Sequence, residues 1–151
     1  RVRWRYANDK TYRIVQLARS NIRRILDHLE LGKTEVSEKL LGCTYGEYIV
    51  HLNKNTRGMV YGDDITFGKL EIDHIRPIAD FTVTCDIELR KACNYNNTQL
   101  LPWKENRKKS NKFPPEAAAA YAASEGGIAI AELALGWVLA GVCKRVGCVC
   151  K

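Results

Sequence analysis

The sequence predicts a mainly helical α+β fold with a small hairpin-plus-helix core. Three observations carry this expectation. An apolar stripe at helical spacing runs from Val15 to Leu29, two short strand-like runs lie near 70–75 and 98–101, and a compact basic helix follows the second run directly. The chain has 151 residues, one domain's worth, and 46% of them are hydrophobic, which excludes wholesale disorder. Lys and Arg number 24 against 17 acids, a formal net charge of +7. A domain this basic commonly meets a polyanion, nucleic acid first and an anionic membrane second.

Residues 1–33 hold nine Lys/Arg and three acids, most of the excess charge. Val15, Ala18, Ile22, Ile25, Leu26 and Leu29 share one helical face, and Arg13, Arg19, Arg23 and Arg24 lie off it. The expected element is an amphipathic helix whose wet side faces a polyanion. A second helix is expected from Glu35 to Leu41, capped by Thr34 and ended by Gly42. A third opens at Thr44, where Thr44 and Glu47 have capping-box spacing ahead of Tyr48, Ile49 and Leu52. His28 and His51 have no Cys or acid at ligand spacing and read as surface or structural residues.

Residues 58–69 read as loop. Leu70 to Ile75 alternates as a short strand that Pro77 stops. Residues 84–94 read as a short helix, Thr98 to Leu101 as the second strand, and Trp103 to Asn111 as a helix beginning after Pro102. Lys104, Arg107, Lys108, Lys109 and Lys112 lie in or beside that helix. After Pro114-Pro115 the chain turns Ala-, Gly- and Leu-rich. Gly126 to Cys143 is 18 residues with one Glu, a minimal bilayer span whose carboxylate costs about 2.5–3.5 kcal/mol to insert. A packing or oligomerising helix is preferred over a membrane contact of this tail. Three regions follow: a basic helical region over 1–57 that packs on the core, a central module over 58–113, and an Ala-rich hydrophobic tail over 114–151.

The six cysteines form no C-x-x-C pair, so no structural zinc is expected. The N-terminus is Arg-rich with no apolar core behind it, and the thiols read as reduced, in an intracellular, non-secreted protein. The chain opens on Arg1 rather than Met, so a start upstream of it is expected.

Chemistry concentrates in Asp73-His74, Asn96-Asn97 and Asn106-x-x-Lys109, laid out as strand, loop, strand, helix. A phosphodiester hydrolase needs a base for water, a divalent cation at the phosphate and a group that orients the base. His74 supplies a base near neutrality, Asp73 a hard oxygen ligand, Asn106 a second oxygen, and an Asn before the second strand a partner for the imidazole N–H. Asp73 and His74 are neighbours, however, and neighbours on a regular strand face opposite ways. Both serve one site only if the strand twists or ends there.

Ile72-Asp73-His74-Ile75-Arg76-Pro77, then Asn97-Thr98-Gln99-Leu100-Leu101-Pro102-Trp103, then Glu105-Asn106-Arg107-Lys108-Lys109-Ser110 resembles the HNH endonuclease family. The similarity is to the branch without zinc knuckles found in phages and large DNA viruses. It covers roughly residues 10–112 and includes the preceding Leu41-Gly42-Cys43 segment. The resemblance implies a ββα-metal fold and metal-dependent cleavage of DNA. His74 then corresponds to the general base, Asn97 to the residue that orients it, and Asp73 and Asn106 to the ligands of Mg²⁺ or another divalent cation such as Mn²⁺. Asn96 competes with Asn97 for its role, and Thr98 departs from the usual Leu. Arg19, Arg23, Arg24, Arg76, Lys104, Lys108 and Lys109 are the expected DNA contacts. A catalytically inactive DNA-binding or assembly module of the same fold is the alternative. Nicking follows from a monomer, and double-strand cleavage from a homodimer.

Overall fold

The computed structural model describes residues 2–30, 32, 36–54, 65, 68–81 and 86–141. Among them the chain is mainly helical, with one two-stranded antiparallel sheet, an α+β arrangement. The first basic stretch forms two helices, α1 (Val2–Asn8) and α2 (Lys10–His28). The break falls at Asp9, whose carboxylate accepts from the Tyr12 N–H at 2.8 Å and caps α2. Helix α1 buries none of its residues. Helix α2 buries Ile14, Ala18, Ile22, Ile25 and Leu26, each Ile or Leu side chain contributing about 1.5–3 kcal/mol on the transfer scale.

Arg13 departs from its expected place on the wet face. It is buried, and its guanidinium donates to the Tyr6 carbonyl at 2.8 Å and the Ala7 carbonyl at 3.0 Å. Those carbonyls end α1 and have no partner within their own helix, and a cation there also meets the negative end of the helix dipole. Arg13 therefore joins the two helices.

The next helix, α3 (Ser37–Leu41), begins after Val36, which makes no side-chain cap. The expected Thr34 cap and Glu35 start lie outside the described residues. Gly42 ends α3 at φ 79°, and a Cβ there would stand 2.8 Å from the Asn94 amide nitrogen, so both backbone and packing require glycine. Helix α4 (Tyr45–Asn53) has the expected capping box. The Thr44 hydroxyl accepts from the Glu47 N–H at 3.3 Å, and the Thr44 N–H donates to the Glu47 carboxylate at 2.8 Å.

Of the expected loop 58–69, only residues 65, 68 and 69 are among those described. Strand β1 (Leu70–His74) pairs with β2 (Thr98–Pro102), setting Asp73 opposite Gln99 and His74 opposite Thr98. Between them lie α5 (Asp86–Cys93) and a 3₁₀ turn, Tyr95–Asn97. Helix α6 (Trp103–Lys109) follows β2 without a loop and packs on both strands. The Trp103 N–H donates to the Lys69 carbonyl at 3.0 Å and closes that end of the hairpin. Leu70 and Leu100 join α2, α3, α4 and α5 in one core, so the hairpin is held from behind by the helical region.

The Ala-rich stretch forms two helices, α7 (Pro115–Ala122) and α8 (Glu125–Leu139), bent by 72°. Ser124 caps α8 by accepting from the Gly127 N–H at 3.1 Å. A Cβ on Gly127 would stand 2.1 Å from the Tyr121 carbonyl, so the corner closes only around glycine. Helix α8 packs on α5 and on the turn 95–97, burying Ile130 and Ala134. Among the described residues no single helix is long and apolar enough to cross a membrane; the bent pair passes by length and composition only. Of the cysteines, Cys43 and Cys93 are described, both free, with thiol pKa values pushed up to about 12 chiefly by burial.

Candidate active site

The site lies where β1 ends. Asp73 and His74 both line one cleft of about 330 Å³, together with Asn106 and Lys109 of α6 and Arg24 of α2. The opposed-faces difficulty is resolved by the strand's end: His74 is the last residue of β1, and the chain bends at Ile75 and Arg76. Five residues separated by as many as 85 positions in sequence thus share a wall.

Asn97 holds that bend. Its side chain is fully buried. The amide oxygen accepts from the Arg76 N–H at 2.9 Å, and the amide nitrogen donates to the Arg76 carbonyl at 3.2 Å. The Asn97 backbone carbonyl accepts from the Ile75 N–H at 2.8 Å. The expected bond from the imidazole to the Asn97 side chain is replaced by this grip on the peptide beyond His74, so Asn97 acts on the chain that carries the ring. Asn96 lies elsewhere: its backbone oxygen is 3.0 Å from where a Cβ on Gly126 would be, at the seat of α8.

Asp73 is buried and accepts from the Gln99 amide at 2.9 Å. Lys109 Nζ stands 3.1 Å from the same carboxylate and donates to the His74 carbonyl at 2.6 Å. Asn106 donates from its amide nitrogen to the Glu71 carboxylate at 2.7 Å. His28, read from sequence as surface or structural, is exposed and lines the cleft. Glu71 and Gln99 carry no assigned role at the level of sequence. Glu71 was within reach there, being two residues before Asp73 and so on its face of the strand. His51 is structural: its Nε2 is 2.9 Å from the Thr98 carbonyl, and its ring lies edge-on to Tyr95.

The remaining basic residues divide by what they touch. Arg19 donates to the Tyr45 hydroxyl at 3.1 Å, a bond that raises its pKa, and Arg23 lies 4.0 Å from Asp27 on the open face of α2. Arg76 stacks on Phe81 at 4.0 Å and donates to the Asp80 carbonyl at 2.7 Å, so its guanidinium braces the turn after β1. Lys104 and Arg107 lie over the Trp103 ring at 5.7 and 5.0 Å, and Lys108 is exposed.

No protein-family model, curated protein or solved structure matches the chain. What the site can do is read from its own geometry. Desolvation lowers the His74 pKa to about 4, Asp73 opposes the shift, and Lys109 and Arg24 add to it. At neutral pH the imidazole is therefore uncharged, the form that accepts a proton. It is a weaker base than the near-neutral one expected from sequence, because burial disfavours its cation. Among the described residues no three His, Cys, Asp or Glu side chains gather at ligating distance. A cation here would rest on the Asp73 carboxylate and the neutral oxygen of Asn106, hard donors that fit Mg²⁺ better than Zn²⁺. The Lys109 ammonium already pairs with Asp73 at 3.1 Å, so a divalent cation on this carboxylate would have to displace it.

The His74 shift has a consequence for stability. The unfolded chain protonates this ring near pH 6.5 and the folded chain near 4, so between those values the unfolded state binds more protons. Stability is expected to fall as pH drops through that window in the absence of divalent cations. Thermal melts of the parent and His74→Gln from pH 7 to 4.5 check this: the variant's melting temperature should fall less steeply. Parallel curves would mean that the ring does not titrate differently in the two states.

Proposed function

We propose that this protein is a metal-dependent endonuclease of the HNH type that hydrolyses phosphodiester bonds in DNA. The observation that carries the reading is the convergence of Asp73, His74, Asn106 and Lys109 on one cleft, at the end of a hairpin strand backed by a helix. The resemblance of the three sequence segments to that family supports it independently, as does the +7 net charge.

In this reading the neutral His74 ring takes a proton from the water that attacks phosphorus. Asn97 fixes the peptide beyond His74 and so the approach of the ring. Arg24 brings positive charge to the cleft wall, where a phosphate would lie. Asp73 and Asn106 would hold the divalent cation, Mg²⁺ or Mn²⁺, which when bound supplies charge stabilisation at the scissile phosphate. Arg19 and Arg23 on α2, and Lys104 and Lys108 on α6, extend the basic surface along the backbone of the duplex.

Supercoiled plasmid incubated with the protein and Mg²⁺ or Mn²⁺ should relax or become linear, and chelation should stop it. Binding without cleavage would leave the DNA-binding module, a reading that the Lys109–Asp73 pair accommodates because the carboxylate already has a cation. The basic surface gives a separate expectation. Each phosphate contact releases counterion, so neutralising Arg19, Arg23 and Arg24 together should flatten the slope of log affinity against log salt by up to about three units. An unchanged slope removes α2 from the DNA footprint.

A further inference from the structure

Resting on the metal site proposed above, we infer that Glu71 is a positioning residue that sets which end of the Asn106 amide is presented to the cation. The amide of Asn has two unlike ends, an oxygen that accepts and an NH₂ that donates. An ionised carboxylate only accepts, so the end of Asn106 lying 2.7 Å from Glu71 must be the NH₂. The oxygen is then the end left for a cation. A hard divalent ion requires that end, because an amide nitrogen offers it N–H groups in place of a lone pair.

Placement separates Glu71 from the ligands themselves. Asn106 lines two neighbouring clefts, and Glu71 lines only the one of about 540 Å³, away from Asp73 and His74. Glu71 and Asp73 are two apart on β1 and so share a face, and both meet α6, one through Asn106 and the other through Lys109. The helix is thus pinned at two points three residues apart. Asp73 is held by a cation, and Asn106 is turned by an anion.

Mn²⁺ titrations followed by the paramagnetic resonance of the free ion test this, using the full chain with duplex DNA in a His74→Ala background. Asp73→Ala reports whether the site exists: if it binds Mn²⁺ as the parent does, the metal site falls and this inference with it. If Asp73→Ala weakens binding, Glu71→Ala should also weaken it, by about 10–100-fold, as loss of a residue that orients a ligand does. Glu71→Gln keeps an accepting oxygen opposite the Asn106 NH₂ and should stay within about threefold of the parent, the scale of a single neutral hydrogen bond. Thermal melts of each variant report folding, and Glu71→Gln preserves the shape if Glu71→Ala does not fold. A Glu71→Gln variant that loses affinity as Glu71→Ala does would overturn the inference, since the charge of Glu71 and not its acceptor would then hold the ion. Unchanged binding in Glu71→Ala would overturn it as well.

Discussion

Replacing His74 with Ala is expected to lower DNA cleavage by about 10²–10⁴-fold, the usual cost of losing a general base, while DNA affinity stays near that of the parent. The two effects separate because the ring and the basic surface do different work. His74 lies at the end of β1 inside the cleft, uncharged at neutral pH, and contributes no positive charge for a phosphate to find. Arg19, Arg23 and Lys108, by contrast, are exposed on α2 and α6. Folding should also survive, since the helical core does not pass through the ring. Time courses on supercoiled plasmid, beside binding curves at fixed salt, measure both quantities. Parent-like cleavage by His74→Ala would remove the proposed mechanism altogether.

Asn97→Ala is expected to act on both stability and rate. Its amide satisfies the Arg76 N–H and carbonyl from a fully buried position. Removing it leaves the part-buried Arg76 N–H and carbonyl without that partner, a cost of up to about 1–3 kcal/mol where water does not replace it. The bend after His74 is then free to shift, and a displacement on the order of 1 Å at a reacting group costs up to about 10²-fold in rate. Asn96→Ala should cut DNA nearly as the parent does, because that residue serves the seat of α8. Denaturant melts and cleavage rates of the two variants check the assignment, and the reverse order of damage would transfer the role to Asn96.

Much of the local structure is legible from spacing alone. The stripe Ala18, Ile22, Ile25, Leu26 and Leu29 marks a buried helical face because side chains three and four apart share one side of a helix. Val15, placed on the same stripe, is half-buried instead, and Ile14 takes the core position. Thr44 and Glu47 announce a helix start, since their side chains reach backbone groups only three residues away. Gly42 and Pro102 punctuate the chain through their own dihedral limits. The ends of both strands fall within a residue of where alternation and proline set them.

What spacing could not reveal depends on which surfaces meet. Arg13 reads as a wet residue until α1 folds back and offers it two carbonyls. The Ala-rich run after Pro115 reads as a single helix or tail until Gly127 lets the chain turn against Tyr121. Asn97 reads as a partner for an imidazole until the bend beyond β1 presents a nearer peptide. Glu71 and Asn106 are 35 positions apart, and Lys109 and Asp73 are 36 apart, so no local pattern links either pair. Residue types and short-range periodicity are properties of the chain, and the sequence by itself determined them here. The direction of the Asn106 amide and the partner of Lys109 were decided only when α6 packed across the hairpin, the partners of Arg13 only when α1 folded back, and the sharing of one cleft by Asp73 and His74 only where β1 ends in its bend. That packing is set by contacts among distant residues, whose cost and gain no window of sequence contains.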